Sequence, residues 1–220
     1  MESDRLAVYS AVFGTRDLPR EVPEGAFDFY LFTDQNVEIK RGTVVRLDPP
    51  FKDPKRSSGW LKTNFPSQLK DYSTILWIDS SIDLKTVEGL TDFLTSSDIA
   101  VFGHSERKCI YEEASICIVS CRDRWDFIQA QVSRYRAAGY PENNGLVATG
   151  GLLRRNTEAV RFFNELWWGE IQRGSRRDQL SFNYVAWALG MRYTEFRPGT
   201  VWSNPWWTYI GHAGKEASPL

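Results

Sequence analysis

Histidine is nearly missing from this 220-residue chain, which contains only His104 and His212. That excludes His-rich zinc centres and leaves little room for a histidine-based triad. Cysteine is sparse as well: Cys109, Cys117 and Cys121 are odd in number and lack CxxC spacing. Neither a disulfide framework nor a zinc site is indicated, and buried free thiols are expected. No apolar run approaches the roughly 18–20 residues of a membrane span. The polar start Met1-Glu-Ser-Asp-Arg leads into no signal-type stretch, so a soluble cytoplasmic protein is expected. Neither charge sign dominates. Lys+Arg 27 against Asp+Glu 28 leave a net charge of −1, which excludes a globally basic surface for nucleic acid or anionic membrane. GxxxxGKS/T and a GxGxxG after a strand are absent, which argues against P-loop and Rossmann dinucleotide binding. GxSxG and HExxH are absent too.

Aromatic residues are plentiful: nine Trp, nine Tyr and thirteen Phe. Four segments rich in β-branched and aromatic residues read as strands, over Leu6 to Phe13, Phe27 to Thr33, Thr74 to Ile78 and Ile99 to Phe102. Helix-like stretches alternate with and follow them, which predicts an α/β fold with a mostly parallel sheet. Ile75-Leu-Trp-Ile78 is apolar without alternation, as a strand covered on both faces should be. Helical stripes run through Trp125, Ile128, Val132 and Tyr135, and through Val160, Phe163, Trp167 and Ile171. A third has Val185 and Leu189 and stops at Gly190. Most of the aromatic excess falls on these stripes and strands and is assigned to core. Tyr9, Phe13 and the Trp202 to Trp207 segment are left as aromatics that could face a ligand.

In open α/β sheets ligands gather at the carboxyl ends of the strands. Those ends carry Gly14-Thr15, Thr33-Asp34, Asp79-Ser80-Ser81-Ile82-Asp83 and Gly103-His104. An aspartate at the mouth of a buried strand suits a divalent cation that completes its shell with substrate phosphates, although ordinary turn chemistry uses the same residues. Ser175 and Asp178 have capping-box spacing, which would set Asp178 and Gln179 at a helix start. Arg154-Arg155 and the arginines from 173 to 177 form a local basic cluster.

Tyr9-Ser-Ala-Val-Phe-Gly14, Phe32-Thr-Asp34, Lys62 with Pro66 and Tyr72, and Ile75 to Ile82 follow one another in order. After them come the block Phe102-Gly-His-Ser-Glu-Arg-Lys-Cys-Ile-Tyr-Glu-Glu-Ala114, then Gln131, Tyr135, Gly139-Tyr-Pro141, Gly145-Leu146, and Ser175 to Phe182. Together these segments resemble the TOD/MUCI-like glycosyltransferase-like domain family, from about Tyr9 to His212. The resemblance implies a single GT-A-like domain over 1–220. About 1–104 would be the nucleotide-sugar-binding half, and about 105–220 the acceptor half with a C-terminal closing segment. It implies an enzyme that moves a sugar, hexosyl or pentosyl, from a nucleoside diphosphate donor, UDP-sugar favoured, to an acceptor hydroxyl on a glycan, small molecule or modified DNA base.

Carried onto this sequence, the resemblance has Tyr9, Phe13 and Gly14 lining the nucleoside pocket and Asp34 reaching base or ribose. Asp79 is the first acid of a DxD-type motif. Asp178-Gln179 resembles the DQ pair of retaining members, with Asp178 at the donor sugar and Gln179 at the acceptor or β-phosphate side. His212 resembles a late metal-ligating histidine. One position departs from the pattern, because Ser81 stands where the second acid would be. A Mn²⁺ or Mg²⁺ ion would then have Asp79 and His212, with Ser81 or Asp83 acting through water. Without the ion, Lys62 or Arg107 would neutralise the departing diphosphate. Two alternative readings stand beside this: a non-catalytic carbohydrate or nucleotide module, with Trp202, Trp206 and Trp207 stacking on sugars, and a viral-type transferase acting on a hydroxylated DNA base, with the basic cluster supplying phosphate contacts.

Overall fold

The computed structural model describes residues 5–14, 17 and 20–211. Its nine strands are β1 (Leu6–Val12), β2 (Asp28–Thr33), β3 (Thr43–Arg46), β4 (Thr74–Ile78), β5 (Ile82–Leu84), β6 (Ile99–Gly103), β7 (Val147–Arg155), β8 (Thr194–Glu195) and β9 (Trp207–Tyr209). Five α-helices accompany them: α1 (Pro54–Thr63), α2 (Ile110–Val119), α3 (Trp125–Ala137), α4 (Glu158–Arg173) and α5 (Gln179–Leu189).

Seven strands form the central sheet in the order β3-β2-β1-β4-β7-β6-β8, and β5 pairs with β9 in a separate ribbon. All run the same way except β7, which is antiparallel to both β4 and β6. The carboxyl ends of β1, β2, β4 and β6 therefore open on one edge. The expected strands lie within a residue of their predicted bounds.

The stripe Val160, Phe163, Trp167 and Ile171 is fully buried, and with Leu61, Phe182 and Val185 it covers one face of the sheet. The other face is covered by the β5–β9 ribbon and a short 3₁₀ turn at Leu90–Leu94, with Trp206 and Trp207 at the core. Residues from α2, α3 and α5 close a third cluster around Ile110, Ile128, Tyr135 and Leu180. Trp125 departs from its predicted stripe: as the first residue of α3 it points outward and is 67% exposed. Gly190 ends α5 in the left-handed conformation, φ 61°, as its position after the stripe predicts.

Strand β7 is the longest of the strands that the sequence reading passed over. Val-Ala-Thr-Gly-Gly-Leu-Leu-Arg-Arg carries two glycines and two arginines, neither a strand signal. The diglycine has a physical reason. A Cβ on Gly151 would lie 2.6 Å from Cη2 of Trp207, so only a bare backbone lets that ring pack there. Opposite it the register with β6 slips between Val101 and Phe102, a bulge that leaves Thr149 and Gly150 beside the end of β4. No helix among the described residues is long and apolar enough to cross a membrane.

Candidate functional site

Asp79 follows β4 directly, its backbone N–H donating to Gly150 of β7 at 2.8 Å. Its Oδ1 accepts from the indole of Trp77 at 2.6 Å and from Lys62 Nζ at 3.4 Å. The side chain is 39% exposed, and no hydrogen bond among the described residues uses its Oδ2. Lys62 reaches it from the last turn of α1. That helix starts at the Asp53 cap with Pro54 at its first position, an arrangement that suits proline.

The Lys62 side chain is 5% exposed, and its Nζ meets three acceptors: Asp178 Oδ2 at 2.6 Å, Thr149 Oγ1 at 3.1 Å and Asp79. Asp178 caps α5, accepting the Gln179 N–H on Oδ1 at 2.9 Å, while Thr149 donates to its Oδ2 at 3.0 Å. The cap is thus Asp178 itself. Ser175, expected to start the helix, is instead buried, donates to Asp123 at 2.7 Å and accepts the Arg177 N–H at 3.1 Å.

The two carboxyls of this trio are pushed in opposite directions. Burial raises Asp79, with Lys62 opposing and Asp178 reinforcing the rise. Burial also acts upward on Asp178, but Lys62, Arg177 and Thr149 outweigh it and hold that carboxyl below its ordinary value. Burial pulls Lys62 down, and the two aspartates more than reverse it, so its ammonium form is secured.

One strand along the same edge, after β1, Gly14 sits at φ 71° and donates its N–H to both oxygens of Asp34, at 3.0 and 3.1 Å. Gln35 ties the same loop through the carbonyls of Gly14 and Asp17. Asp34, Arg46, Leu47 and Asp48 line a cleft of about 220 Å³. Asp34 follows β2, two strands from β4 in the sheet.

On the other side of Asp178, Arg177 donates to Gln179 Oε1 at 2.7 Å, and Gln179 Nε2 donates to the Val147 carbonyl at 3.2 Å. Arg107 donates to buried Glu113 at 2.7 Å and to Glu106 at 2.9 Å. His104 Nδ1 accepts the N–H groups of Glu106 and Arg107, both at 3.2 Å. Burial first, and the nearby arginines, lower the His104 pKa against the pull of Glu113 and Glu106, which favours a neutral ring.

The residues singled out from the sequence have the following surroundings. Tyr9 and Phe13 do not line a pocket: they are 0% and 5% exposed in the core, because β1 is central and covered on both faces. Lys62 has its three N–H groups committed to three acceptors rather than open toward solvent, and Arg107 is committed to two glutamates. Gln179 spends both ends of its amide within the fold. Ser81 is 4% exposed, and Asp83 alternates outward on β5 between buried Ile82 and Leu84. His212 lies outside the described residues. Trp206 and Trp207 are core, and of the proposed stacking trio only Trp202 is exposed. The basic cluster is not an open patch. Arg154 is fully buried, Arg173 pairs with Glu170, and Arg176 pairs with Asp53 and Asp123. Cys109 and Cys117 are buried as expected, whereas Cys121 is exposed.

Sequence reasoning missed Trp77 and Thr149, which hold the two aspartates, and Arg20, whose Nε donates to the Ser80 carbonyl at 3.3 Å beside the same turn. Only the diglycine after Thr149 carried a signal, as a mark of close backbone approach.

The donor set bears on a divalent cation. Among the described residues no group of three His, Cys, Asp or Glu could hold a metal ion. Yet Lys62, Asp79 and Asp178 sum to one negative charge when both carboxyls are ionised, with Asp79 Oδ2 as the open corner. That fits an ion bound by one carboxylate and by substrate phosphates.

The family described as TOD1/MUCI70, glycosyltransferase-like domain, matches residues 30–197. The match spans well over half of the chain, and the chain belongs to this family. No curated protein matches it. Among solved structures, a glycosyltransferase involved in the glycosylation of the major capsid of PBCV-1 aligns with a TM-score of 0.47 and 11% identity, covering 88% of this chain and 82% of that one.

Proposed function

From its membership in a glycosyltransferase-like family, we propose that this chain transfers a sugar from a nucleoside diphosphate donor, a UDP-sugar foremost, to an acceptor hydroxyl. The observation that carries the reading is the Lys62 ammonium fixed between Asp79 and Asp178 at the carboxyl end of the central strand. The nucleoside lies over the cleft lined by Asp34, Arg46, Leu47 and Asp48, and the diphosphate lies across the edge at Asp79.

As the bond from the anomeric carbon to the diphosphate breaks, positive charge grows on the sugar and negative charge on the leaving group. Asp178, held ionised by Lys62 and Thr149, stabilises the former. Its geometry is fixed before the donor arrives, so little reorganisation accompanies the step. Lys62 acts on the leaving group through its field, because its three protons are committed, and Arg20 adds a cation beside the Ser80 turn. Asp79 would hold a divalent cation, which would supply Lewis-acid stabilisation of the same leaving group. Retention of configuration is the outcome assigned, on the likeness of Asp178-Gln179 to the DQ pair of retaining transferases.

Thermal melting with nucleoside diphosphates tests the donor site, since a ligand of the folded state raises Tm by mass action. UDP or GDP with Mn²⁺ should raise Tm, Mn²⁺ alone should not, and Asp79→Asn should abolish the Mn²⁺-dependent part. If no nucleoside diphosphate shifts Tm at millimolar concentration, the reading fails.

A further inference from the structure

Arg154 carries a charge that the fold does not neutralise. The residue is 0% exposed, and none of the ion pairs among the described residues includes it. Its Nε is buried without a hydrogen-bond partner. A buried cation without a carboxylate is costly, so something else must hold it there.

Its hydrogen bonds show what that is. One terminal nitrogen donates to Asn164 Oδ1 at 2.8 Å. The other donates to the Lys62 carbonyl at 2.8 Å and to the Tyr9 hydroxyl at 2.9 Å. Tyr9 in turn donates toward the carbonyls of Leu61 and Lys62, both at 3.1 Å. The guanidinium lies 4.5 Å from the Phe65 ring centroid, just past the helix end.

The last carbonyls of a helix lack intrahelical donors and carry its negative dipole end. In α1 the Trp60 carbonyl is satisfied by Asn64, and those of Leu61 and Lys62 are satisfied from the sheet by Tyr9 and Arg154. The helix dipole thus takes the place of a carboxylate for Arg154. Lys62 is held at both ends, its carbonyl by Arg154 and its ammonium by Asp79 and Asp178.

We infer that Arg154, with Tyr9, is a positioning residue that fixes the end of α1 so that the Lys62 ammonium stays between the two aspartates. The inference rests on the assignment of Lys62 to the transfer site. Its action is indirect: Arg154 touches no substrate, and displacing the Lys62 backbone by about 1 Å is on the scale that costs up to ~100-fold in rate.

The test compares Arg154→Met and Arg154→Lys with the unaltered chain. Two readouts are used: reductive methylation of Lys62, followed by peptide mass spectrometry, and nucleoside diphosphate release from a UDP-sugar. In the unaltered chain Lys62 should be protected from methylation. In Arg154→Met its labelling should rise several-fold and kcat should fall roughly tenfold or more with KM little changed, while Arg154→Lys is intermediate. A Met variant that keeps Lys62 protected overturns the inference, whether or not release is lost. Labelling that rises while release is unchanged leaves the positioning intact and removes Lys62 from the reaction. Should Arg154→Met not fold, Arg154→Lys and Tyr9→Phe decide by the same two readouts.

Discussion

Asp79 and Asp178 share one ammonium, yet their surroundings pull them apart. Trp77 and Lys62 bind a single oxygen of Asp79, whereas Asp178 receives Lys62, Thr149 and the Gln179 N–H across both oxygens. The raised pKa of Asp79 means that its charged form costs folding free energy above that value. The lowered pKa of Asp178 contributes stability that is present above the ordinary aspartate value of 3.8 and is lost as pH falls through the folded value. Asp178→Asn should therefore lower Tm at pH 7 more than Asp79→Asn does. Calorimetry of both variants checks this, and a larger loss for Asp79→Asn would refute the ordering. The rate profile should carry the same sign. If ionised Asp79 is needed to hold the donor, kcat/KM falls on acidification with an acid limb above 3.8, and a limb at or below that value contradicts its role. Both acids were visible in the sequence from their place after a strand and before a helix. Their difference was not, because it arises from Trp77, Thr149 and Lys62, residues far apart in the chain.

Among the elements that the sequence did not show, helix α1 and strand β7 together complete the candidate site. The proline-dense approach to α1 reads as a loop, and nothing in Pro54 to Thr63 has a wide apolar stripe, because the helix meets the sheet with little more than Ser57, Leu61, Lys62 and Thr63. In β7 the glycines that weaken the strand signal are what let Trp207 and the turn after β4 approach. Gly151→Ala should therefore force the Trp207 ring to move and cost about 1–3 kcal/mol. For a chain of this size that is a fall in Tm of roughly 3–10 °C, measurable by thermal denaturation. An unchanged Tm would show that the ring has another place to go. The arginines at the end of β7 read as a surface cluster because adjacent charges usually are one. Only the pairing of Arg154 opposite Ile75 and Ile99 places it in the middle of the sheet, facing the end of α1.

For the whole molecule, six parallel strands interrupted by one reversed strand set the carboxyl ends on one edge and bring β7 to them from the opposite direction. Alternation of strands and helices revealed the fold class and the edge on which the carboxyl ends of the parallel strands open. It could not reveal the aromatic packing. The Trp-rich C-terminal segment read as a ligand platform, yet Trp206 and Trp207 are the cover for the face of the sheet that no long helix protects. Net charge was a better guide at this scale: many of the arginines are met by acids in salt bridges such as Arg176 with Asp53 and Arg107 with Glu113. On the proposed function, this edge releases a nucleoside diphosphate from a nucleotide sugar. The direct measurement is diphosphate release from UDP- and GDP-sugars with Mn²⁺, for the unaltered chain and for Asp178→Asn folded to the same extent. Release by the unaltered chain and a loss of about 100-fold or more in the variant are predicted. Equal release by both would contradict the account.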